Sequence, residues 1–113
     1  MRVLVCGGRD YKDRREVYEL LSCIHQDDPI SRIIQGGALG ADRFAADWAR
    51  CAGVRVEEYK ADWERHGKAA GPIRNGQMIR DGRPHLVLAF PGGAGTANMI
   101  KQAKAAGIEV IEQ

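Results

Sequence analysis

Glycine-bearing turns that follow short apolar runs are the parts of this chain best suited to bind a ligand. The turns span residues 6–10, 36–42 and 91–96. Their residues predicted to touch a ligand are Gly7, Gly8, Arg9, Asp10, Gly36, Gly37, Gly40, Asp42, Pro91, Gly92, Gly93, Gly95 and Thr96. Glycine lets another group approach the main chain closely, and free N–H groups at the start of a helix attract anions, above all phosphates. We expect all three turns to offer such groups at one edge of a sheet, which predicts a nucleotide-like ligand.

The turn at 91–96 gives the strongest of the three signals. Its glycines open the backbone to a ligand, and Thr96 is predicted to cap the helix that follows, whose dipole favours an anion there. No turn is followed by Gly-Lys-Ser/Thr, and none reads GxGxxG. The chain therefore contains neither a Walker loop nor the dinucleotide-binding fingerprint.

Charged residues beside the turns are candidates for binding and for catalysis. Arg9 is placed either to clamp a phosphate with two hydrogen bonds or to order the loops through an ion pair with Asp10 or Asp42. Asp42, in the first turn of a predicted helix, either offsets the helix dipole or acts on a ligand by bonding a ribose hydroxyl or activating a water. Asp42 and Asp10 are the candidate catalytic carboxylates.

The stretch from 59 to 75 is unusually long for a connection in a small domain. We expect a loop over 59–71 and a helix that begins at Pro72, and loops of this length tend to be functional. Trp63 is a candidate for stacking on a base, the alternative being that it packs over the sheet edge. Arg74 and Asn75, near the start of the helix, can donate hydrogen bonds to a phosphate.

An alternation of strands and helices must position these residues. Apolar runs predict strands at 3–6, 31–35, 54–58, 85–90 and 108–111, with about four helices between them. This order predicts an α/β, Rossmann-like, doubly wound parallel sheet of about five strands. Right-handed crossovers favour strand order 3-2-1-4-5, which places the first and third turns at the switch point where open α/β sheets bind ligands.

Composition limits the class of protein. The 113 residues, 44% of them hydrophobic and 28% charged, predict one soluble domain over 1–113. A formal charge of +2 argues against nucleic acid as a partner. No apolar run suits a signal peptide or a membrane span, so we expect a cytoplasmic protein without a membrane partner. Three cysteines without CxxC or Cys/His spacing predict no metal site, and we expect no cofactor.

The same motifs, in the same order along nearly the whole chain, resemble the YspA-type branch of the SLOG superfamily, which is related to the YpsA proteins. The matching segments are 7–10, 36–42, 62–63, 71–75 and 91–96. The resemblance implies a Rossmann-like fold and a site for a nucleotide or nucleotide-derived ligand, such as a nucleoside phosphate, ADP-ribose or another NAD-derived molecule. It implies no particular reaction.

The chain is also similar, more distantly, to the LOG phosphoribohydrolases, which cleave the N-glycosidic bond of nucleoside monophosphates. Their PGGxGTxxE signature is similar to residues 91–96, and their arginine in the preceding helix would correspond to Arg74. Residues 97–99 read Ala-Asn-Met, however, with no carboxylate where that family places its catalytic glutamate. Glycosidic cleavage needs a carboxylate. Phosphate binding therefore carries over better than hydrolysis.

Three functions remain open on the sequence. The first is a sensor or carrier of a nucleotide-like molecule. The second is an N-glycosidase in which Arg74 clamps phosphate and Asp42, Asp10 or Asp62 replaces the missing glutamate. The third, single-stranded DNA binding as in DNA-processing relatives of the superfamily, is the least favoured because no basic stripe is present. Superfamily enzymes form dimers, which makes a homodimer compatible with the resemblance, and the sequence leaves open which ligand is bound and whether any reaction follows.

Overall fold

A five-stranded parallel sheet forms the centre of the protein. The computed structural model, which describes residues 1–113, has strands β1 (Arg2–Cys6), β2 (Arg32–Gln35), β3 (Arg55–Glu58), β4 (Leu86–Ala89) and β5 (Glu109–Glu112). All neighbouring strands pair in parallel, in the order β3-β2-β1-β4-β5. This confirms the predicted Rossmann-like α/β fold and the strand order 3-2-1-4-5. The chain reverses its direction of travel across the sheet between β1 and β4.

Helices cover both faces of the sheet. They are α1 (Arg14–Asp27), α2 (Ala41–Ala52), the short α3 (Trp63–His66), α4 (Ala70–Gly82) and α5 (Ala94–Ala105). Helices α1 and α2 pack together on one face, and α4 and α5 pack together on the other. None of them has the length and apolar character that crossing a membrane requires.

Each face of the sheet has its own apolar core, which explains why β1 reads as an uninterrupted apolar run. Val3 and Val5 belong to the cluster beneath α1 and α2. Leu4 and Cys6, which alternate with them, belong to the cluster beneath α4 and α5. A parallel strand covered on both faces shows no polar alternation. The edge strand β3, in contrast, has one apolar residue, Val56, among three charged ones.

The connection between β3 and α4 differs from the prediction. Residues 63–66 form α3, residues 67–69 form a 3₁₀ turn, and α4 begins at Ala70. Asp62 makes this possible, because its carboxylate accepts the N–H of Arg65 at 3.1 Å and caps α3. Pro72 is the third residue of α4 and not the first, a position that still requires no N–H donor.

The start of α5 also differs from the prediction. The helix begins at Ala94 with Gly93 at its N-cap, and no side chain caps it. Thr96 therefore lies within the first turn, and the prediction that it caps the helix is wrong. The backbone of Gly93 leads the chain into the helix without a side-chain acceptor, so the first N–H groups of α5 are left for another partner.

Candidate ligand-binding site

The three glycine-bearing turns meet at one cleft of about 1140 Å³. It lies at the carboxyl edge of the sheet, where β1, β2 and β4 end. Every residue predicted to bind a ligand lines the cleft except Gly40. Gly40 has φ +78° and approaches the backbone of Gly8 and Arg9, so it supports the first turn from behind. The prediction that Gly40 itself faces the ligand is therefore not met.

The first and third turns form one continuous wall of the cleft. The N–H of Gly8 donates to the carbonyl of Pro91 at 2.9 Å, and the N–H of Phe90 donates to the carbonyl of Cys6 at 2.9 Å. A Cβ at Gly8 would lie 3.1 Å from Cα of Gly92. Because neither glycine leaves room for a side chain, the two turns pack backbone against backbone and their relative position is fixed.

In the second turn, three backbone N–H groups are already bonded to side chains of the protein. Oδ2 of Asp42 accepts the N–H of Gly36 at 3.1 Å and that of Ala38 at 3.2 Å. The side-chain oxygen of Gln35 accepts the N–H of Gly37. The expectation that all three turns offer free N–H groups is therefore wrong for Gly36, Gly37 and Ala38. The N–H groups of Leu39, Gly40 and Ala41 have no acceptor in the protein, but these residues do not line the cleft.

Asp42 itself lies at the base of the cleft and is only 6% exposed. Burial raises its pKa from 3.8 to about 6, against the lowering effect of the two backbone hydrogen bonds and of the Arg74 charge. Its Oδ1 accepts no hydrogen bond from the protein, and no fully buried polar side-chain atom of the chain lacks a partner. Oδ1 is thus reached by solvent, and this carboxylate can meet a ligand while Oδ2 holds the second turn.

The third turn leaves its amides open. The five N–H groups from Gly92 to Thr96 have no acceptor in the protein, and the first hydrogen bond of α5 runs from the N–H of Ala97 to the carbonyl of Gly93, at 3.1 Å. A Cβ placed on Gly93 or Gly95 would meet nothing within 4 Å. These amides therefore form a donor array on an accessible surface, at the positive end of a 12-residue helix.

Arg74 is held in place by the second turn. Its Nη1 donates to the carbonyls of Gly36 at 3.0 Å and Tyr59 at 3.4 Å, and its Nε donates to Oδ1 of Asn75 at 3.1 Å. Its Nη2 forms no hydrogen bond within the protein. The guanidinium group is therefore fixed by carbonyls and by Asn75 while one nitrogen remains available at the cleft.

Asn75 is 3% exposed and has a positioning role. Its Nδ2 donates to the carbonyl of Gly95 at 3.2 Å and to Oδ1 of Asn98 at 3.1 Å. Its side chain joins α4 to the first turn of α5 and orients Arg74. Since both ends of the amide are used, Asn75 shapes the third turn from behind.

The rim of the cleft is exposed and mostly positive. Arg9 and Asp10 form no ion pair, so the alternative role for Arg9, a salt bridge to Asp10 or Asp42, is not realised. Two lysines that the sequence reasoning missed, Lys12 and Lys60, also line the cleft. Each comes two residues after a turn or strand that ends at this edge of the sheet, which is the signal that could have identified them.

Trp63 lies at the mouth of the cleft as the first residue of α3. Its side chain approaches Gly71, where an added Cβ would be 3.5 Å from Cη2, and the residue is 60% exposed. The indole is therefore mostly exposed to solvent at the mouth of the cleft, and its stacking on a ligand stays a prediction.

Cys6 lies under the cleft, but its thiol is not suited to nucleophilic chemistry. Burial, with a smaller contribution from the charge of Asp42, raises its pKa to about 12. The thiol therefore stays protonated at neutral pH. No three His, Cys, Asp or Glu side chains are grouped closely enough to hold a metal ion.

Comparison with known proteins places the chain in a family. Residues 1–66 match the family model described as YAcAr, the YspA, cpYpsA-related SLOG family. The chain is 43% identical over 118 residues to the Gene 61 protein of Mycobacterium phage D29, covering 97% of this chain and 94% of the phage protein. Its fold is similar to that of DNA processing protein A (DprA) from Streptococcus pneumoniae, with a TM-score of 0.77 and 17% identity over 98% of this chain. The chain spans about half of that protein, 49%. The protein described here belongs to the YspA, cpYpsA-related SLOG family.

Proposed function

We propose that the cleft binds a nucleotide or nucleotide-derived ligand, with a phosphate group seated on the third turn. The observation that carries this proposal is the array of five consecutive N–H groups from Gly92 to Thr96 without an acceptor. Backbone N–H groups in folded proteins are nearly always paired, with protein, water or ligand. An anion at this helix N-terminus satisfies several of them at once and gains from the helix dipole.

The charges around the array favour an anion over a neutral ligand. Arg9, Lys12, Lys60 and Arg74 line the cleft, with Asp10 and Asp42 as its acidic residues. Arg74 is already held by protein carbonyls, so binding an anion through its remaining nitrogen requires little further ordering of the side chain. A phosphate is the anion whose geometry suits guanidinium and backbone donors together.

The far side of the cleft suits the nucleoside part of the ligand. Trp63 presents a free aromatic face, and stacking on an aromatic side chain is the usual way that proteins hold a base without reading its edges. The volume of about 1140 Å³ exceeds the roughly 300–1,000 Å³ of ordinary small-molecule clefts. A nucleoside with more than one phosphate fits this volume, which includes ADP-ribose-like molecules.

Isothermal titration with nucleoside mono- and diphosphates, ADP-ribose and NAD tests the proposal. We expect at least one of these to bind the wild type and to bind Gly93→Val much more weakly, because a branched side chain covers the donor array. Thermal unfolding of the variant should stay close to wild type, since the added Cβ meets nothing within 4 Å. The absence of binding at millimolar concentration for every ligand would contradict the proposal, as would equal affinity in the variant.

A second function, cleavage of the N-glycosidic bond of a bound nucleotide, is favoured by Asp42. Its Oδ1 is open to the cleft, and its pKa of about 6 lies in the range that suits a general acid or base near neutral pH. Chromatography for released base, on wild type and on the Asp42→Asn and Asp10→Asn variants, tests this function. Turnover that neither variant changes would exclude this mechanism.

A further inference from the structure

A second cavity lies at the opposite, amino edge of the sheet. It has a volume of about 560 Å³ and is lined by no hydrophobic residue. Four arginines line it, Arg2, Arg32, Arg80 and Arg83. We call this cavity the arginine pocket. It is separated from the cleft by the length of β1, about 13 Å, and shares no residue with it.

The topology of the sheet brings the arginines together. Arg2 and Arg32 are the first residues of β1 and β2 and pair directly with each other in register. Residues paired in this way point to the same face of the sheet, about 5 Å apart. Two positions further along, Leu4 and Ile34 pack beneath α4 and α5, so both arginines face the side on which α4 ends. That end of α4 contributes Arg80 and Arg83.

The concentration of positive charge is unfavourable for folding unless something neutralises it. Like charges directly opposite each other destabilise a sheet. Of the four arginines, only Arg32 forms an ion pair, between its Nη1 and Oε1 of Glu57 at 2.5 Å. The four arginines, Asp81 and Glu57 together carry a net formal charge of +2, which is the same as that of the whole chain.

Arg83 adds conformational strain to the same place. It has φ 50° and is the only non-glycine residue of the chain with a positive φ. The left-handed position after a helix is the one that glycine usually occupies. Arg83 uses its backbone to accept a hydrogen bond from Nε of Arg2 at 2.7 Å and to donate one to the carbonyl of Ile79 at 3.3 Å. A glycine would form both bonds, so the fold does not require the arginine side chain.

The lining determines the chemical class of a ligand. No aromatic side chain lines the pocket, so it has no platform for a base. Guanidinium groups bind phosphoryl oxygens in pairs, and a single phosphate would leave most of the four arginines without a partner. We propose that the arginine pocket is a second anion site, which binds a chain of linked phosphoryl groups such as pyrophosphate or triphosphate.

Titration with inorganic tripolyphosphate tests the proposal. The full chain is used with the Gly93→Val substitution, which covers the donor array of the cleft. The result then reports on the arginine pocket, whether or not the cleft binds a nucleotide. We expect binding, a loss of affinity of roughly tenfold or more in Arg83→Gly, and a higher thermal unfolding midpoint in the same variant because glycine relieves the positive φ. A similar loss is expected for Arg80→Ala, whose side chain is exposed and forms no ion pair.

Arg43→Ala is the matched control, since Arg43 is an exposed arginine on α2 without an ion pair. It should leave the affinity unchanged. The proposal is overturned if tripolyphosphate does not bind, if Arg43→Ala weakens binding as much as Arg83→Gly, or if Arg83→Gly has no effect on affinity. It is also overturned if a single-stranded oligonucleotide binds more tightly than tripolyphosphate and loses that binding in Arg83→Gly.

Discussion

The second and third glycine-bearing turns are alike in sequence and opposite in chemistry. Both follow a strand, and both lead into a 12-residue helix that begins at the carboxyl edge of the sheet. The amides of Gly36, Gly37 and Ala38 are all bonded to side chains of the protein. The amides from Gly92 to Thr96 have no acceptor in the protein. Of these two sets of amides, only those of the third turn are free to bind a ligand.

The difference comes from two side chains, Asp42 and Gln35, of which Asp42 carries the charge. Asp42, at the start of α2, turns its carboxylate onto the preceding turn, whereas the start of α5 contains only small uncharged residues and Thr96. A carboxylate that binds backbone N–H groups occupies the place that a phosphate would take. The second turn thus contains its own anion, and the third turn lacks one.

Replacing Asp42 with asparagine tests what the internal anion costs the fold. Because folding raises its pKa from 3.8 to about 6, the stability that a protonated Asp42 contributes is fully present below pH 3.8 and is lost as pH rises through about 6. At neutral pH the ionised carboxylate lowers the free energy of unfolding by up to about 3 kcal/mol. Asp42→Asn should therefore be more stable than wild type at neutral pH, with the difference disappearing in acid.

Urea unfolding at a series of pH values measures this effect. Asp28→Asn serves as control, since Asp28 is exposed and forms no ion pair. A stability difference between Asp42→Asn and wild type that did not change between neutral pH and pH 3.8 would contradict the account.

Replacing Arg74 tests whether its positive charge, held in the cleft by the second turn, contributes to binding at the third. Arg74→Ala should lower the affinity for a phosphate-bearing ligand by about 1.5–3 kcal/mol, as expected for a hydrogen bond to a charged group. Arg43→Ala, on the exposed surface of α2, should leave nucleotide affinity unchanged. Isothermal titration measures both. Equal affinities in wild type and Arg74→Ala would remove Arg74 from the site.

Gly92 and Gly93 are adjacent in the third turn, but we expect the first to matter for folding and the second for binding. A Cβ on Gly92 would lie 2.5 Å from the backbone nitrogen of Gly8, so Gly92→Ala should lower the free energy of unfolding by about 1–3 kcal/mol. Gly93→Ala should change it by less than about 0.5 kcal/mol. Urea unfolding of the two variants decides, and similar losses would show that the turns do not pack as described.

The hydroxyl of Thr96 should have the smallest effect. Its Oγ1 forms no hydrogen bond within the protein, and valine has nearly the same shape. Thr96→Val should lower ligand affinity by about 0.5–1.5 kcal/mol, the value of one neutral hydrogen bond. If calorimetry showed a loss of stability with unchanged affinity, Thr96 would be a packing residue only.

Local patterns were sufficient to predict the sheet but not every helix boundary. Apolar runs such as residues 3–6 mark buried strands, and right-handed crossovers then favour the strand order that the structure has. Helix α3 was missed because it has only four residues and depends on a single cap by Asp62. The start of α5 was misplaced because its first residues are small and the backbone of Gly93, not a side chain, sets the boundary.

The position of the site was predictable, but the state of its hydrogen bonds was not. Turns at the carboxyl edge of a parallel sheet must converge, so nearly all of the proposed residues line the cleft. Whether a turn is free depends on side-chain conformations such as those of Asp42 and Asn75, which sequence patterns do not determine. Asn75 fits a ligand donor by residue type, yet both ends of its amide are occupied.

We expect the amides from Gly92 to Thr96 to hold an anion, and those of Gly36, Gly37 and Ala38 not to, because side chains already bond them. The most direct test is to follow backbone amide resonances by nuclear magnetic resonance while nucleoside diphosphate or ADP-ribose is added. We predict the largest shifts at Gly92, Gly93 and Gly95, with the amides of Gly36 and Gly37 shifting much less. Shifts concentrated at Gly36 and Gly37, or none at the third turn with saturating ligand, would contradict the claim.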